Sequence, residues 1–136
     1  MTEKLVKVYV HSVITDVNYN EPVVILREVN GTRVLPIWIG PMEAAAISLA
    51  LNNEMTARPL THETLYRIVR GLGGEVEKVA ITKLEHNVFF GRLIIKRGES
   101  EIVTVDIRPS DAIAIALLAN APIFVADDVM AKGQLE

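Results

Sequence analysis

The sequence contains no cysteine. A disulfide framework, a thiolate metal site and a cysteine nucleophile are therefore all excluded. Aromatic residues make up 5% of the chain, with one tryptophan, Trp38. Trp38, Tyr66, Phe89 and Phe90 are too few, and too apolar in context, to suggest a stacking platform for single-stranded nucleic acid. The apolar stretches are interrupted by Pro, Glu, Ser or Asn and fall short of the length that crosses a bilayer. The start, Met1-Thr2-Glu3-Lys4-Leu5, lacks the apolar run and cleavage site of a signal peptide, so a cytoplasmic protein with no membrane contact is the expectation. The chain holds no Walker loop, no G-x-G-x-x-G, no H-E-x-x-H and no G-x-S-x-G. Positive charge is also short. The 14 Lys and Arg against 17 Asp and Glu leave a net charge of −3, which argues against holding nucleic acid by bulk electrostatics.

What is present is a globular composition. Half of the 136 residues are hydrophobic and 23% are charged, enough for one domain with a real core. Charge is unevenly spread. From Arg58 to Arg108 there are nine Lys/Arg and seven Asp/Glu, a balance of +2, against −5 for the remainder. A weakly basic middle in an acidic frame permits local phosphate contact.

The patterning predicts an α+β fold: a mixed, largely antiparallel sheet packed against about three helices. Residues 4–15 alternate as a half-buried strand, with Val6, Val8, Val10 and Ile14 on one side. Residues 23–29 and 33–39 flank Asn30-Gly31, a strong hairpin signal. Gly40-Pro41 opens a helix over 42–52 that is apolar almost all round, and so belongs in the core or in a subunit interface. A second helix over 61–72 carries the stripe Leu65, Ile68, Val69 and Leu72, and ends at Gly73-Gly74. Residues 76–84 and 88–97 form a hairpin about Glu85-His86-Asn87, followed by a strand over 101–107. A wholly apolar third helix over 110–120 must be buried, and a short strand at 122–125 precedes a last turn capped by Asp127-Asp128. The recurrence of a strand, a proline-led turn and a buried helix hints at internal duplication.

Two Arg-Pro pairs stand at helix starts, fifty residues apart: Arg58-Pro59-Leu60-Thr61-His62-Glu63 and Arg108-Pro109-Ser110-Asp111. Proline suits the first helical turn, and Thr61 and Ser110 are natural cap residues. A helix N-terminus beside a guanidinium suits an anion such as phosphate; the plainer alternative is an arginine that pairs with a neighbouring carboxylate. His62 heads the apolar stripe of its helix, either as a packed residue or as a general base or acid. Glu63 lies i,i+4 from Arg67, which suits an exposed ion pair. Asp106, Arg108 and Asp111 fall within six residues. They either orient one another or hold a divalent cation beside a phosphate clamp; Mg²⁺ and Mn²⁺ are the cations such oxygen ligands suit. Glu43 in so apolar a helix calls for an arginine partner. Asp127-Asp128 reads as a helix cap in preference to a metal pair.

Five ordered motifs together resemble the bifunctional nuclease domain family, named for activity on both DNA and RNA. They are Leu35-Pro36-Ile37-Trp38-Ile39-Gly40-Pro41 with Glu43-Ala44 behind it, Arg58 to Glu63, Val88-Phe89-Phe90-Gly91, Asp106 to Ala114, and Pro122 to Asp127. The resemblance covers nearly the whole chain and implies an α+β domain that self-associates, a dimer being favoured. It also implies weak, non-specific nucleic-acid contact. It supplies no catalytic residues, so the candidates come from chemistry. Arg58 and Arg108 would clamp phosphate, Asp106 and Asp111 would position a metal or water, and His62 and Glu63 would serve as acid or base. The competing expectation is an oligomeric module whose Arg-Pro clefts bind an anion or a partner without turnover.

Overall fold

In the computed structural model residues 4–135 are described. Met1–Glu3, part of the start on which the absence of a signal peptide was argued, lie outside them, as does Glu136. The chain runs β1 (Leu5–Asp16), β2 (Glu21–Glu28), β3 (Val34–Trp38), α1 (Pro41–Leu51), α2 (Thr61–Gly71), β4 (Gly74–Glu85), β5 (Val88–Arg97), β6 (Glu101–Ile107), α3 (Pro109–Ala119), β7 (Ile123–Ala126) and α4 (Asp127–Gly133). The fold is α+β, as the patterning predicts. One seven-stranded sheet has the order β3-β2-β1-β7-β4-β5-β6, antiparallel throughout except for the β4–β7 pair.

That order is two three-stranded meanders, β1-β2-β3 and β4-β5-β6, joined through β7. Each ends in a helix with proline at its first position, Pro41 in α1 and Pro109 in α3. Each of those helices carries one acidic residue in its first turn, Glu43 or Asp111. The proline-led repeat in the sequence is therefore Gly40-Pro41 with Arg108-Pro109. Arg58-Pro59 belongs to the α1–α2 connection.

The core is aliphatic. Val24, Leu26, Leu35, Ile47, Val79, Ile81, Ile113, Ile115, Val125 and Met130 are fully buried between the sheet and α1, α3 and α4. Alternation explains the strands, because Val79/Ile81 and Leu93/Ile95 point to one face and Ala80, Arg92 and Lys96 to the other. The all-apolar α3 is buried from Pro109 to Ala116 apart from Asp111, as its composition requires.

Several local expectations change. A register shift between Val10 and Ser12 in the β1–β2 pair re-aims the second half of β1, so Ile14 leaves the face of Val8 and stands 50% exposed. Helix α1 is not enclosed: within it only Ala44 and Ile47 are buried, and Met42 is 80% exposed. The α2 stripe also faces outward, with no buried residue; Leu65, Ile68 and Leu72 are exposed and only Val69 packs on the core. The expected caps are displaced by one or two positions. The N-caps are Leu60, Arg108 and Ala126, none with a side-chain cap bond, so Thr61, Ser110 and Asp127 already lie inside their helices.

Asp127 instead pairs with Arg33 (Nη2–Oδ1 2.8 Å), and Arg33 also donates from Nε to Glu28. This ties the β2–β3 loop to the start of α4. Hydrogen bonding to Arg33 holds both the Glu28 and the Asp127 carboxyls below the usual carboxylate range. A depressed folded-state pKa stabilises the fold fully above the unfolded value, and that contribution is lost as pH falls through the folded value. The thermal midpoint is therefore expected to decline below about pH 4. Arg33→Gln should flatten that decline, as read by circular dichroism melts at pH 3 and pH 7.

Candidate functional site

The Asn20–Glu21 turn, the end of β3, the β4–β5 turn at Asn87, and the first turns of α1 and α3 surround one cleft of about 610 Å³. Trp38, Glu43, Arg108 and Ser110 line it. The two helix starts meet there because α1 and α3 pack on each other, each entered through a Pro that fixes φ and lacks an N–H. With no side-chain caps, the N–H groups of Met42, Glu43, Ser110 and Asp111 lie at the positive ends of two 11-residue helices.

Arg108 is the hub. Its Nε donates to Asp111 Oδ2 at 2.8 Å and its Nη2 to Asp111 Oδ1 at 3.1 Å, a bidentate pair. Its Nη1 lies 3.3 Å from Glu43 Oε1. The matched acidic residues of the two helices thus share one guanidinium. A second N–H on each terminal nitrogen is left over, and the side chain is 65% exposed, so it can still donate to a ligand in the cleft. Behind it, His62 Nε2 sits 2.7 Å from Asp111 Oδ1, a contact between residues 49 apart in sequence. Burial alone would raise the Asp111 carboxyl. Hydrogen bonds from Arg108 and His62 outweigh it and hold Asp111 below its ordinary value, while Asp111 raises the Arg108 guanidinium. At neutral pH Asp111 is a carboxylate and Arg108 a cation.

The predicted residues divide cleanly. Arg108, Asp111 and His62 come together, and Glu43 finds the arginine its setting calls for. Glu63 forms the expected pair with Arg67 at 2.8 Å and lines a small separate cavity with His62, not the cleft. Arg58 is exposed in the α1–α2 connection, where its carbonyl accepts from Thr56, and it does not line the cleft. Asp106 is directed elsewhere. It is the cross-strand partner of Arg92, on the face opposite Leu93 and the core, whereas α3 packs on the core face. Asp106 and Asp111 consequently do not converge as a metal pair. Among the described residues no three His, Asp or Glu side chains form a set of metal ligands.

Trp38 is the residue that sequence reasoning set aside. The inward Leu35 and Ile37 leave its ring outward at the strand end, 47% exposed, and Asp16 fixes it by accepting from Nε1 at 3.0 Å. An aromatic face, a guanidinium with spare donors and two open helix starts can hold an aromatic base and its phosphate together.

The comparisons agree with the motifs. Residues 24–136 match the model of the bifunctional nuclease domain. An uncharacterized protein of Mycobacterium tuberculosis is 43% identical over 116 residues, 85% of this chain and 68% of that protein. Bifunctional nuclease 1 of Arabidopsis thaliana is 36% identical over 107 residues, 76% of this chain and 33% of that protein. Bifunctional nuclease 2 of Oryza sativa subsp. japonica is 32% identical over 108 residues, 77% and 33%. The chain spans about a third of the length of these plant relatives. It belongs to the bifunctional nuclease domain family.

Proposed function

We propose that this chain is a nuclease that hydrolyses phosphodiester bonds of DNA and RNA with little sequence preference, in the cleft built around Arg108. The observation that carries this reading is the Glu43–Arg108–Asp111–His62 chain at the joined starts of α1 and α3. Arg108 and the uncapped N–H groups would take the non-bridging oxygens and stabilise the charge that builds as water attacks phosphorus. Glu43 has one oxygen on Arg108 and the other without a hydrogen bond among the described residues; it would accept the water's proton and return it to the leaving oxygen as the P–O bond breaks. Asp111 and His62 act behind Arg108, fixing its orientation. Trp38 would stack on a base, a contact that every base can make, in keeping with weak sequence preference. Arg58, Glu63 and Asp106 stand outside this reading.

Arg108 occupies the space between two carboxylates where a cation would otherwise sit. A divalent ion, if used, would enter with the substrate phosphates. The outward apolar side chains of α1 and α2, among them Met42, Leu65, Ile68 and Leu72, support self-association, a dimer being expected by sedimentation.

Trp38 is the single tryptophan and lines the cleft, so its fluorescence reports occupancy directly. Mononucleotide titration is expected to quench it, and labelled single-stranded DNA and RNA to be cut by the wild type and not by Glu43→Gln. Assays with Mg²⁺, Mn²⁺ and EDTA read the cation requirement. Quenching without cleavage under any of these conditions would instead make the cleft a binding site for anions without turnover.

A further inference from the structure

The cleft accounts for a nucleotide or two, yet the chain is net acidic, and the proposed substrates are polyanions. The remaining cations are distributed unevenly. Arg33, Arg67, Arg70, Arg97 and Arg108 are all in ion pairs. Lys7, Lys78, Lys83, Arg92 and Lys96 are in none among the described residues, nor are Lys4, Arg27, Arg58 and Lys132.

Register places the first five on one surface. Lys7 is opposite Phe124, Phe124 opposite Ala80, and Ala80 opposite Arg92, a continuous row across β1, β7, β4 and β5. Lys78 is opposite Ile94 and Lys83 opposite Phe90, with Lys96 further along β5, all on the side away from the core. Among the described residues no helix covers this face, because α1, α2, α3 and α4 pack on the other one. From Phe90 to Lys96 the strand runs about 20 Å, and the row from Lys7 to Arg92 crosses about 15 Å. A nucleic-acid strand presents several phosphates over such a span.

The face also carries aromatic surface. Phe90 is 39% exposed, and Lys78 Nζ lies 5.6 Å from the centre of the Phe124 ring. Acidic residues share the face: Asp106 is the cross-strand partner of Arg92, Glu75 that of Lys96, Glu77 is exposed at the register shift beside Lys78, and Glu85 ends β4. Glu75 is already engaged by Arg70 at 3.6 Å.

We propose that the outer face of β7-β4-β5, with Lys7 of β1, is a track for a single strand of nucleic acid, held chiefly through its phosphates. The track rests on the nuclease reading for the identity of its polyanion, and it supplies the electrostatic attraction that the net charge denies the molecule as a whole. Unpaired cations beside exposed rings are the combination that holds single strands without reading sequence.

The test is fluorescence anisotropy with a labelled 20-nucleotide DNA and the matching RNA, across a series of NaCl concentrations. Every protein carries Arg108→Ala so that little of the strand is consumed during the measurement. Lys78→Ala/Lys83→Ala/Arg92→Ala should weaken binding about tenfold or more and lower the log–log salt slope by about 2, at ~0.7 for each phosphate contact removed. Lys78→Arg/Lys83→Arg/Arg92→Lys should bind as the parent does. If the triple alanine variant melts below the assay temperature, Lys83→Ala/Lys96→Ala, both exposed, carries the same test with a slope change of about 1.4. Unchanged affinity and slope in the neutralised proteins would overturn the track, even if the protein with native Arg108 cleaves nucleic acid. Failure of the parent to bind the strand would overturn it too. Loss of binding in the alanine variants alone supports the track, and should the protein with native Arg108 then cleave nothing, only the nuclease reading falls.

Discussion

Arg108→Ala is expected to lower kcat/KM on single-stranded DNA and RNA by about 10²–10³-fold, the loss typical when a donor to a developing oxyanion is removed. Fold stability should fall as well, because the Arg108 side chain is 65% exposed but the Glu43 and Asp111 side chains that share it are only 16% and 18% exposed. The substitution does more than delete a phosphate contact. Glu43 and Asp111 both rely on the same guanidinium, so its removal leaves two carboxylates facing each other at the mouth of the cleft. An incoming phosphate then meets net negative charge where it had met a cation with spare donors. Arg108→Lys should recover only part of the loss, since an ammonium cannot hold Asp111 by two bonds and still reach Glu43. The comparison is made on purified proteins well below both melting temperatures, with equal cleavage by wild type and Arg108→Ala as the result that would remove this cleft from the chemistry. His62→Gln should fall between the two. It leaves Arg108 in place but removes the group that fixes Asp111 from behind, and it should affect rate more than substrate affinity.

The parts of this site that were legible in the sequence are those set by local chemistry. A proline after an arginine at a strand end marks a helix start. An acid in the first turn of an apolar helix needs a cation, and Glu43 did find one in Arg108. What local chemistry does not contain is which arginine. Glu43 and Arg108 come from separate meanders, and only the packing of α1 on α3 brings them together. The His62–Asp111 contact is likewise a consequence of α2 packing on α3. The outward direction of Asp106 was already implied by its alternation with Val105 and Ile107. Proximity in sequence to Arg108 suggested a shared site, but a strand reverses its facing at every residue, and three residues after Asp106 the chain has turned into a helix on the other side of the sheet. The apolar surfaces of α1 and α2 were legible, but their partner was not. Apolarity says that a surface is to be covered, not by what, and here much of it is left at the surface of the chain.

Gly91→Val is expected to cost about 2–4 kcal/mol, lowering the melting temperature by roughly 5–15 °C, with Gly91→Ala near the lower end. Gly91 lies in β5 opposite both Ile81 and Ile107, and it is buried beneath the β6–α3 junction. A Cβ built there would stand 2.8 Å from the Ile107 carbonyl oxygen and 3.4 Å from the Pro109 nitrogen. Both are backbone atoms, so no rotamer change relieves the contact; the strand pair must spread or the junction must lift. Gly40 makes the contrast clear. Its added Cβ would meet the Glu43 carboxylate at 2.8 Å, the far end of a side chain that can swing aside at little cost to the fold. Arg108 lies between Ile107 and Pro109, so the displacement forced at position 91 is delivered to the hub of the cleft. Gly91→Ala should therefore lose more activity than its unfolded fraction explains, when assayed well below its melting temperature. Nucleotide quenching of Trp38 should weaken in step, because the ring and the guanidinium line the same cleft and would shift relative to each other. A variant destabilised as expected but fully active would show that the position of Arg108 tolerates movement of the junction, and the close approach at Gly91 would then serve packing alone.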